Sequence, residues 1–361
     1  MSLMKITSNI RNYVVRFAED AGFLEEFGKI AQRCYVVDHK VWDLYRGGCL
    51  KRLEGEEVVV LPIDEEKKSL DSVQGLYDRL TARSAKRNMT LISIGGGILQ
   101  DITGFASSTL YRGINWLFVP TTLLAQADSC IGSKTSLNYK GFKNLIGTFY
   151  PPSEIFIYTP FLSTQADVDY FSGLGEVIKL HLMGGPDKTR QIMDLLPRLG
   201  RREPEALQIA VRNSLSIKQE YICEDEFDGG RRNMLNFGHC FGHAIEATSN
   251  FEIPHGQAIV LGMLLANTVA CSRKLLAPEF QEYVAQKLLL PSLIVSPKRE
   301  ALDPGGVVNA MKKDKKRTGE GLALIMMKEG HEMLRVNDLT EPEVARALQS
   351  IKSFRAGGFQ V

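Results

Sequence analysis

Cysteine and histidine are both scarce in this chain, with six of each in 361 residues. The cysteines (Cys34, Cys49, Cys130, Cys223, Cys240 and Cys271) are scattered and form no CxxC pair. Such spacing excludes a disulfide framework and a thiolate zinc motif, and the thiols read as reduced, small hydrophobes of a cytoplasmic protein. An excess of one charge is also missing: 44 Lys+Arg against 42 Asp+Glu leave a net charge of +2. That excludes the broad basic footprint of a nucleic-acid or anionic-membrane partner. No apolar run approaches the roughly 18 residues of a membrane span, and the N-terminus lacks the apolar stretch of a signal peptide. Internal repeats and low-complexity tracts are absent too.

What is present is an ordinary globular composition, 44% hydrophobic and 24% charged, in a length that suggests about two domains. The first half alternates short β-branched runs with helical patterns. "CYVVD" (34–38), "VVVLP" (58–62), "LISIGGG" (91–97), "WLFVPTT" (116–122) and "IFIYT" (155–159) read as strands, with helices over Leu70 to Asn88 and Gln100 to Thr109 between them. Alternation of this kind predicts a parallel sheet with helices on both faces and ligands at the carboxyl ends of its strands. From "STQADVDYFSGLGEVIKLHLMGG" onward the period is helical, with Ser163 or Thr164 as a cap, interrupted by a short hairpin in "GLALIMMKEGHEMLRV". The expectation is an α/β nucleotide-binding domain over residues 1–165 and a mostly helical domain over 166–361.

Three stretches carry chemistry. In "SIGGGILQDITGFAS" (93–107) a triple glycine joins a strand to a helix. It reads either as a pyrophosphate cradle at a helix N-terminus or as a tight turn. The spacing is not GxGxxG. Asp101, one helical turn on, either faces a ligand or is a first-turn acid favoured by the helix dipole. "LNFGHCFGHAIEATSNFEIPHGQAIVLGM" (235–263) places His239 and His243 four apart on a helix read over Leu235 to Ala247, and His255 at the start of the next. Paired imidazoles of this kind can share a metal or be incidental. Glu176, in the apolar helix of "GLGEVIKLHL", is the carboxylate best suited to join them, with Lys179 one turn on. The alternative is a surface ion pair, and His181 is a bystander. Third, Lys134, Lys143 and Asn144 sit in a glycine-bearing loop, and Lys218, Arg231, Arg232 and Asn236 lie near the histidines in sequence. Cations there suit a small anionic substrate, although each alone reads as a solvated surface residue.

Taken together, "GGGILQDITGF", "RGINWLFVPTTLLAQADSCIGSKT", "KNLIGTFYPP", "GLGEVIK" and "LNFGHCFGHAIE…HGQAIVLGM" resemble the 3-dehydroquinate synthase family of sugar-phosphate cyclases, in order over most of the chain. The resemblance implies a Rossmann-like NAD-binding domain followed by a helical metal-binding domain, a fold shared with iron-type alcohol and glycerol dehydrogenases. It implies that Glu176, His239 and His255 hold a divalent metal, zinc or alternatively cobalt, and that His243 contacts substrate instead. Asp128, Lys134, Asn144, Lys179, Lys218, Arg232 and Asn236 match the family's substrate positions. Arg112 matches an arginine lent to a neighbouring subunit, which implies a homodimer. Lys315 or Lys316 matches a phosphate-side lysine. Asp38, Glu65, Lys68, Gly96, Gly97, Asp101, Thr121, Thr122, Leu124, Lys143 and Thr164 fall on NAD-contact positions. The implied reaction is conversion of 3-deoxy-D-arabino-heptulosonate 7-phosphate to 3-dehydroquinate through transient oxidation, phosphate β-elimination, reduction and aldol closure, in the shikimate pathway.

The chain departs from the family pattern at Gln100, where glycine is common, at Ser133 in "GSK", in "YKGF" (139–142), at Gly175 and in the loose "PIDEEKKS". The alternatives are another sugar-phosphate cyclase acting on sedoheptulose 7-phosphate, glucose 6-phosphate or an amino analogue, a metal-dependent polyol dehydrogenase, and a catalytically inert homologue.

Overall fold

A computed structural model describes residues 2–83, 85–313 and 321–354, so the expectation for Lys315 or Lys316 lies outside the described residues. The chain forms two compact units. One comprises the chain up to Thr164 together with Ile222–Phe227; the other comprises Gln165–Tyr221 and the chain from Asp228 on. A single boundary at residue 165 therefore leaves out Ile222–Phe227, which is tied to the first unit by Glu226: its carboxylate accepts from Ser8 Oγ at 2.5 Å and from Asn9 N at 2.6 Å.

The first unit holds strands β1 (Ser2–Ile6), β2 (Tyr13–Phe17), β3 (Arg33–Asp38), β4 (Val58–Leu61), β5 (Thr90–Gly95), β6 (Asn115–Pro120), β7 (Lys134–Tyr139), β8 (Phe142–Phe149) and β9 (Glu154–Ile157), with helices α1 (Phe23–Glu26), α2 (His39–Tyr45), α3 (Leu70–Ala82) and α4 (Gly97–Thr109). Seven strands make one sheet in the order β1-β2-β9-β6-β5-β3-β4, parallel throughout except for the β1–β2 edge. Every residue of β5 is buried, as expected of a strand covered on both faces. One face carries Tyr35, Val37, Ile92, Ile94, Leu117, Val119 and Phe156 into a core with Phe23 and Phe27. The strand order reverses direction at β3, which lies between β4 and β5. The carboxyl ends of β3 and β5, Asp38 and Gly95, therefore flank the crevice where such sheets bind ligands.

Several local expectations change. The edge strands β1 and β2 are too short to stand out by periodicity alone. The helix expected over 70–88 ends at Ala82. The "loop" carrying Lys134, Lys143 and Asn144 is a hairpin, β7–β8, because Lys140 and Gly141 both take positive φ (48° and 77°) in a two-residue turn between Tyr139 and Phe142. Ser163 and Thr164 cap nothing: they close a short 3-10 turn, and the next helix begins after Ala166.

The second unit holds α5 (Asp167–Met183), α6 (Pro186–Gly200), α7 (Pro204–Glu224, whose last residues belong to the first unit), α8 (His239–Thr248), α9 (His255–Ser272), α10 (Pro278–Val284), α11 (Pro304–Lys313), the hairpin β10 (Leu322–Met327) and β11 (Met333–Leu339), and α12 (Glu341–Phe354). The helix read over 235–247 starts instead at His239, because Gly238 takes a left-handed φ of 78° and residues 231–236 form a 3-10 turn. Helix α9 is long and apolar enough by composition to cross a membrane, contrary to the expectation of no such run, but 78% of it is buried inside the protein. Its polar Gln257 donates to the carbonyls of Phe171 and Ser292, as suits a central core helix.

Glycines bring α5, α8 and α9 to backbone contact. A Cβ on Gly175 would fall on the Gly256 carbonyl, and one on Gly256 on the Ser172 carbonyl, where Ser172 Oγ already accepts from Gly256 N at 2.9 Å. A Cβ on Gly262 would fall on the Gly238 carbonyl, and one on Gly242 would lie 3.1 Å from the Ala258 carbonyl. Gly256→Ala is expected to destabilise the metal-free protein by about 1–3 kcal/mol, the usual cost of overpacking against backbone. Urea unfolding checks this, and an unchanged midpoint would show that the helices can separate without loss.

Candidate functional site

Each of those glycines adjoins a candidate ligand in sequence: Gly175 precedes Glu176, Gly238 precedes His239, and Gly256 follows His255. The close helix contacts thereby bring these three side chains together. One ligand atom from each lies within 4.8 Å of the others. Glu176 Oε1 stands 3.3 Å from His255 Nε2 and 3.6 Å from His239 Nε2. Glu176 is only 1% exposed, so the surface ion-pair alternative fails. Lys179, 3% exposed, places Nζ 2.5 Å from Glu176 Oε2. Apart from this ion pair, neither Glu176 oxygen meets a hydrogen bond of acceptable geometry.

Burial alone would raise the Glu176 carboxyl, but Lys179 and His255 outweigh it and hold the group well below the usual carboxylate range. Burial would likewise lower the His255 imidazole; the carboxylates of Glu176 and Glu246 beside its two nitrogens prevail and push it up to about 9. Two imidazole nitrogens and a buried carboxylate converging on one point, otherwise held by protons and a lysine, form a donor set that fits a divalent cation such as zinc. His239 turns Nδ1 to the Phe237 carbonyl at 3.1 Å, leaving Nε2 toward the cluster. His255 turns Nδ1 to Glu246 Oε2 at 3.1 Å and does the same. Glu246 was not foreseen. Its signal was present, since it lies seven residues after His239 on α8 and so returns to the same face. His243 is in ring contact with both, its centroid 5.2 Å from His239 and 5.8 Å from His255.

Lys218 and Arg232 are 7% and 4% exposed in this unit, so neither is a solvated surface cation. Asn236 donates from Nδ2 to the Asn233 carbonyl at 3.0 Å. His181 stays outside the cluster: it is fully buried, with Nδ1 2.8 Å from the Val177 carbonyl, and burial lowers it to about 4.

In the first unit the glycine-rich turn caps α4 through Gly96, with no side-chain cap on the helix amides. A Cβ on Gly95 would lie 2.6 Å from Leu99 and 3.2 Å from the Asp38 Cβ, and one on Gly96 3.0 Å from Thr122. An uncapped helix N-terminus behind a cradle that side chains would fill fits a dinucleotide pyrophosphate. Asp38 caps α2 through Lys40 N at 2.9 Å, and Thr121 N binds the Gly95 carbonyl at 3.0 Å. Asp101 neither caps α4 nor stands alone: it pairs with Lys68 at 2.5 Å and accepts from Ser136 N and Oγ at 2.9 and 3.1 Å. Burial pushes its carboxyl up against these contacts. Lys68 also donates to Asn144 at 2.6 Å, and Asn138 to Glu65 at 2.8 Å, so four expected residues share one network. Thr164 is bonded to the Tyr45 hydroxyl at 2.7 Å. Leu124 leads into the turn Ala125–Ser129 that carries Asp128. Lys134, Lys143 and Asn144 are exposed on the hairpin, as is Arg112 at a left-handed φ of 62°.

Glu246→Gln keeps the shape but weakens the acceptor that orients His255. It is expected to lower zinc affinity roughly 10–100-fold, read by competition with a chromophoric chelator; unchanged affinity would remove Glu246 from the metal centre. For His181, the folded value of about 4 lies below the ordinary 6.5. Its stability term is therefore complete above pH about 6.5 and is lost, by about 3 kcal/mol, as pH falls toward 4. His181→Gln should flatten that acid limb in urea unfolding of the metal-free protein, whereas an equally steep limb would count against it.

The descriptions 3-dehydroquinate synthase N-terminal and 3-dehydroquinate synthase C-terminal match residues 58–172 and 173–317. The 3-dehydroquinate synthase of Dehalococcoides mccartyi (strain CBDB1) is 34% identical over 339 residues, 93% of this chain and 94% of that one. That of Methylococcus capsulatus is 38% identical over 296 residues, 81% and 82% of the two chains. Among solved structures, ValA (2-epi-5-epi-valiolone synthase) from Streptomyces hygroscopicus, with NAD+ and Zn2+ bound, superposes with a TM-score of 0.83 at 25% identity, covering 98% of this chain and 99% of that one. With both domain descriptions matched end to end and relatives aligned along nearly the whole length, this chain belongs to the 3-dehydroquinate synthase family.

Proposed function

We propose that the protein is a 3-dehydroquinate synthase, a phosphate-eliminating carbon–oxygen lyase that converts 3-deoxy-D-arabino-heptulosonate 7-phosphate to 3-dehydroquinate and phosphate. The observation that carries the reading is the buried trio Glu176, His239 and His255 with Lys179 against it, in a chain of this family. NAD+ and Zn2+ in the related ValA support the same pair of cofactors here. When bound, NAD accepts and returns the hydride, and the divalent metal acts as a Lewis acid toward the developing oxyanion.

The chain's own residues set the conditions for that chemistry. Glu176, His239 and His255 hold the cation, and the second nitrogen of each imidazole is fixed by Phe237 or Glu246. Lys179, Lys218 and Arg232 keep positive charge in buried positions, where it acts in a low dielectric on a dianionic substrate. Asp128, Lys134, Asn144, Asn236 and His243 are assigned as further substrate contacts. Asp38, Glu65, Lys68, Gly96, Gly97, Asp101, Thr121, Thr122, Leu124, Lys143 and Thr164 are assigned to NAD; the bare α4 amides and the Lys68–Asp101 network support that assignment. Arg112, exposed at its turn, is assigned to the phosphate of a second copy in a homodimer. The six free thiols support a reducing compartment, the cytoplasm.

The test is phosphate release by zinc- and NAD-loaded protein given 3-deoxy-D-arabino-heptulosonate 7-phosphate, sedoheptulose 7-phosphate and glucose 6-phosphate in parallel. Release from the first alone, without net NADH, is expected. Release from one of the others would reassign the protein to a sister cyclase, and net NADH from a polyol to a dehydrogenase.

A further inference from the structure

A pocket in the C-terminal unit opens between the start of α8 and the β10–β11 hairpin. Asn236, His239 and His243 line it from the first side, and Ile325 and Arg335 from the hairpin. Ile325 and Arg335 are direct cross-strand partners, so their side chains emerge on the same face. The sequence had marked this segment only as a hairpin.

Arg335 differs from several other arginines of this unit. Arg198, Arg201, Arg202 and Arg273 each hold a carboxylate at 2.5 to 2.8 Å. Among the described residues the Arg335 side chain has no hydrogen bond or ion pair, and no carboxylate lines the pocket. The residue is nonetheless half-buried, beside apolar Ile325, Leu322 and Met311. A guanidinium that gives up part of its hydration without gaining a partner is unfavourable, and an anion supplied by a ligand removes the deficit. The pocket already contains Asn236 and His243, both assigned to substrate, and the metal ligand His239.

We infer that Arg335 binds an anionic oxygen group of the substrate, its carboxylate or its phosphate. This rests on the proposed function. A planar fork with paired donors suits either group, and the β-hairpin is a rigid mount for it.

The experiment compares wild type with Arg335→Gln and Arg335→Lys as zinc- and NAD-loaded proteins. It measures KM and kcat for 3-deoxy-D-arabino-heptulosonate 7-phosphate, and calorimetric binding of inorganic phosphate and of quinate. Arg335→Gln is expected to raise KM about tenfold or more with little change in kcat, the pattern of a lost ground-state contact, and Arg335→Lys to recover only part. Weakened phosphate binding would place the guanidinium on the phosphate, and weakened quinate binding on the carboxylate. Unchanged KM with both probes bound as in wild type would overturn the inference, as would a loss confined to kcat. If wild type released no phosphate from this substrate, the proposed function would fail, while the two probes would still decide Arg335: weaker binding of either supports its anion site, equal binding of both overturns it.

Discussion

The site depends on backbone-to-backbone contact among α5, α8 and α9. Helices separated by ordinary side chains lie about 8–10 Å apart. Glycines at 175, 256, 238, 242 and 262 leave no room for a Cβ facing the neighbouring helix. Because glycines flank Glu176, His239 and His255 directly, the closest points of the packing are also the positions of this donor cluster. Three side chains far apart in sequence are thus held by the main chain, and flexible rotamers contribute little to their placement. An alanine Cβ at position 175 would fall on the Gly256 carbonyl, so the α5–α9 crossing requires glycine there.

The N-terminal unit solves a related problem with polar contacts. Beside the sheet lies the β7–β8 hairpin, whose outer strand β8 is largely exposed. Asp101, Lys68, Ser136, Asn138, Asn144 and Glu65 anchor that hairpin to the sheet domain. The departures from the family pattern have local explanations here. Gln100 and Ser129 exchange hydrogen bonds, Gln100 Nε2 to the Ser129 carbonyl at 2.7 Å and Ser129 Oγ to Gln100 Oε1 at 2.8 Å. Ser133 sits at a left-handed φ of 65°, where glycine would be relaxed. Its hydroxyl donates to Glu226 at 3.2 Å, and its carbonyl accepts from Tyr150 N at 2.6 Å. "YKGF" is a compact two-residue turn. These substitutions rebuild the loops without touching Glu176, His239 or His255.

Much of this was legible beforehand where local chemistry repeats. Fully buried β5 reads as a continuous apolar run, and the alternation of such runs with helices announces a parallel sheet. The glycine-rich turn and the start of α9 at His255 likewise sit where residue type and spacing place them, whereas α8 starts at His239 and not at Leu235. Less legible were features that local pattern does not encode. Lys143 and Asn144 looked like loop residues because two positive-φ positions, not hydrophobic periodicity, make the hairpin. Ser163 had the right type for a cap but sits one turn too early. Glu246 was passed over because its spacing puts it only on the face of His239, whereas the imidazole it holds, His255, comes from the next helix.

The sequence by itself determined which residue types are available and their helical and two-residue periods, and hence the two architectures and the candidate donors. Only the tertiary structure decided which donors meet. The i, i+4 spacing makes His239 and His243 the natural pair, yet the donors that close around one point draw on several helices: Glu176 with His239 and His255, and beside them His243 and Glu246 with His255. The reason is physical. Spacing along one helix sets only the face on which a side chain emerges, whereas the distance between helices is set by whichever atoms collide first, and here those are backbone atoms at glycine.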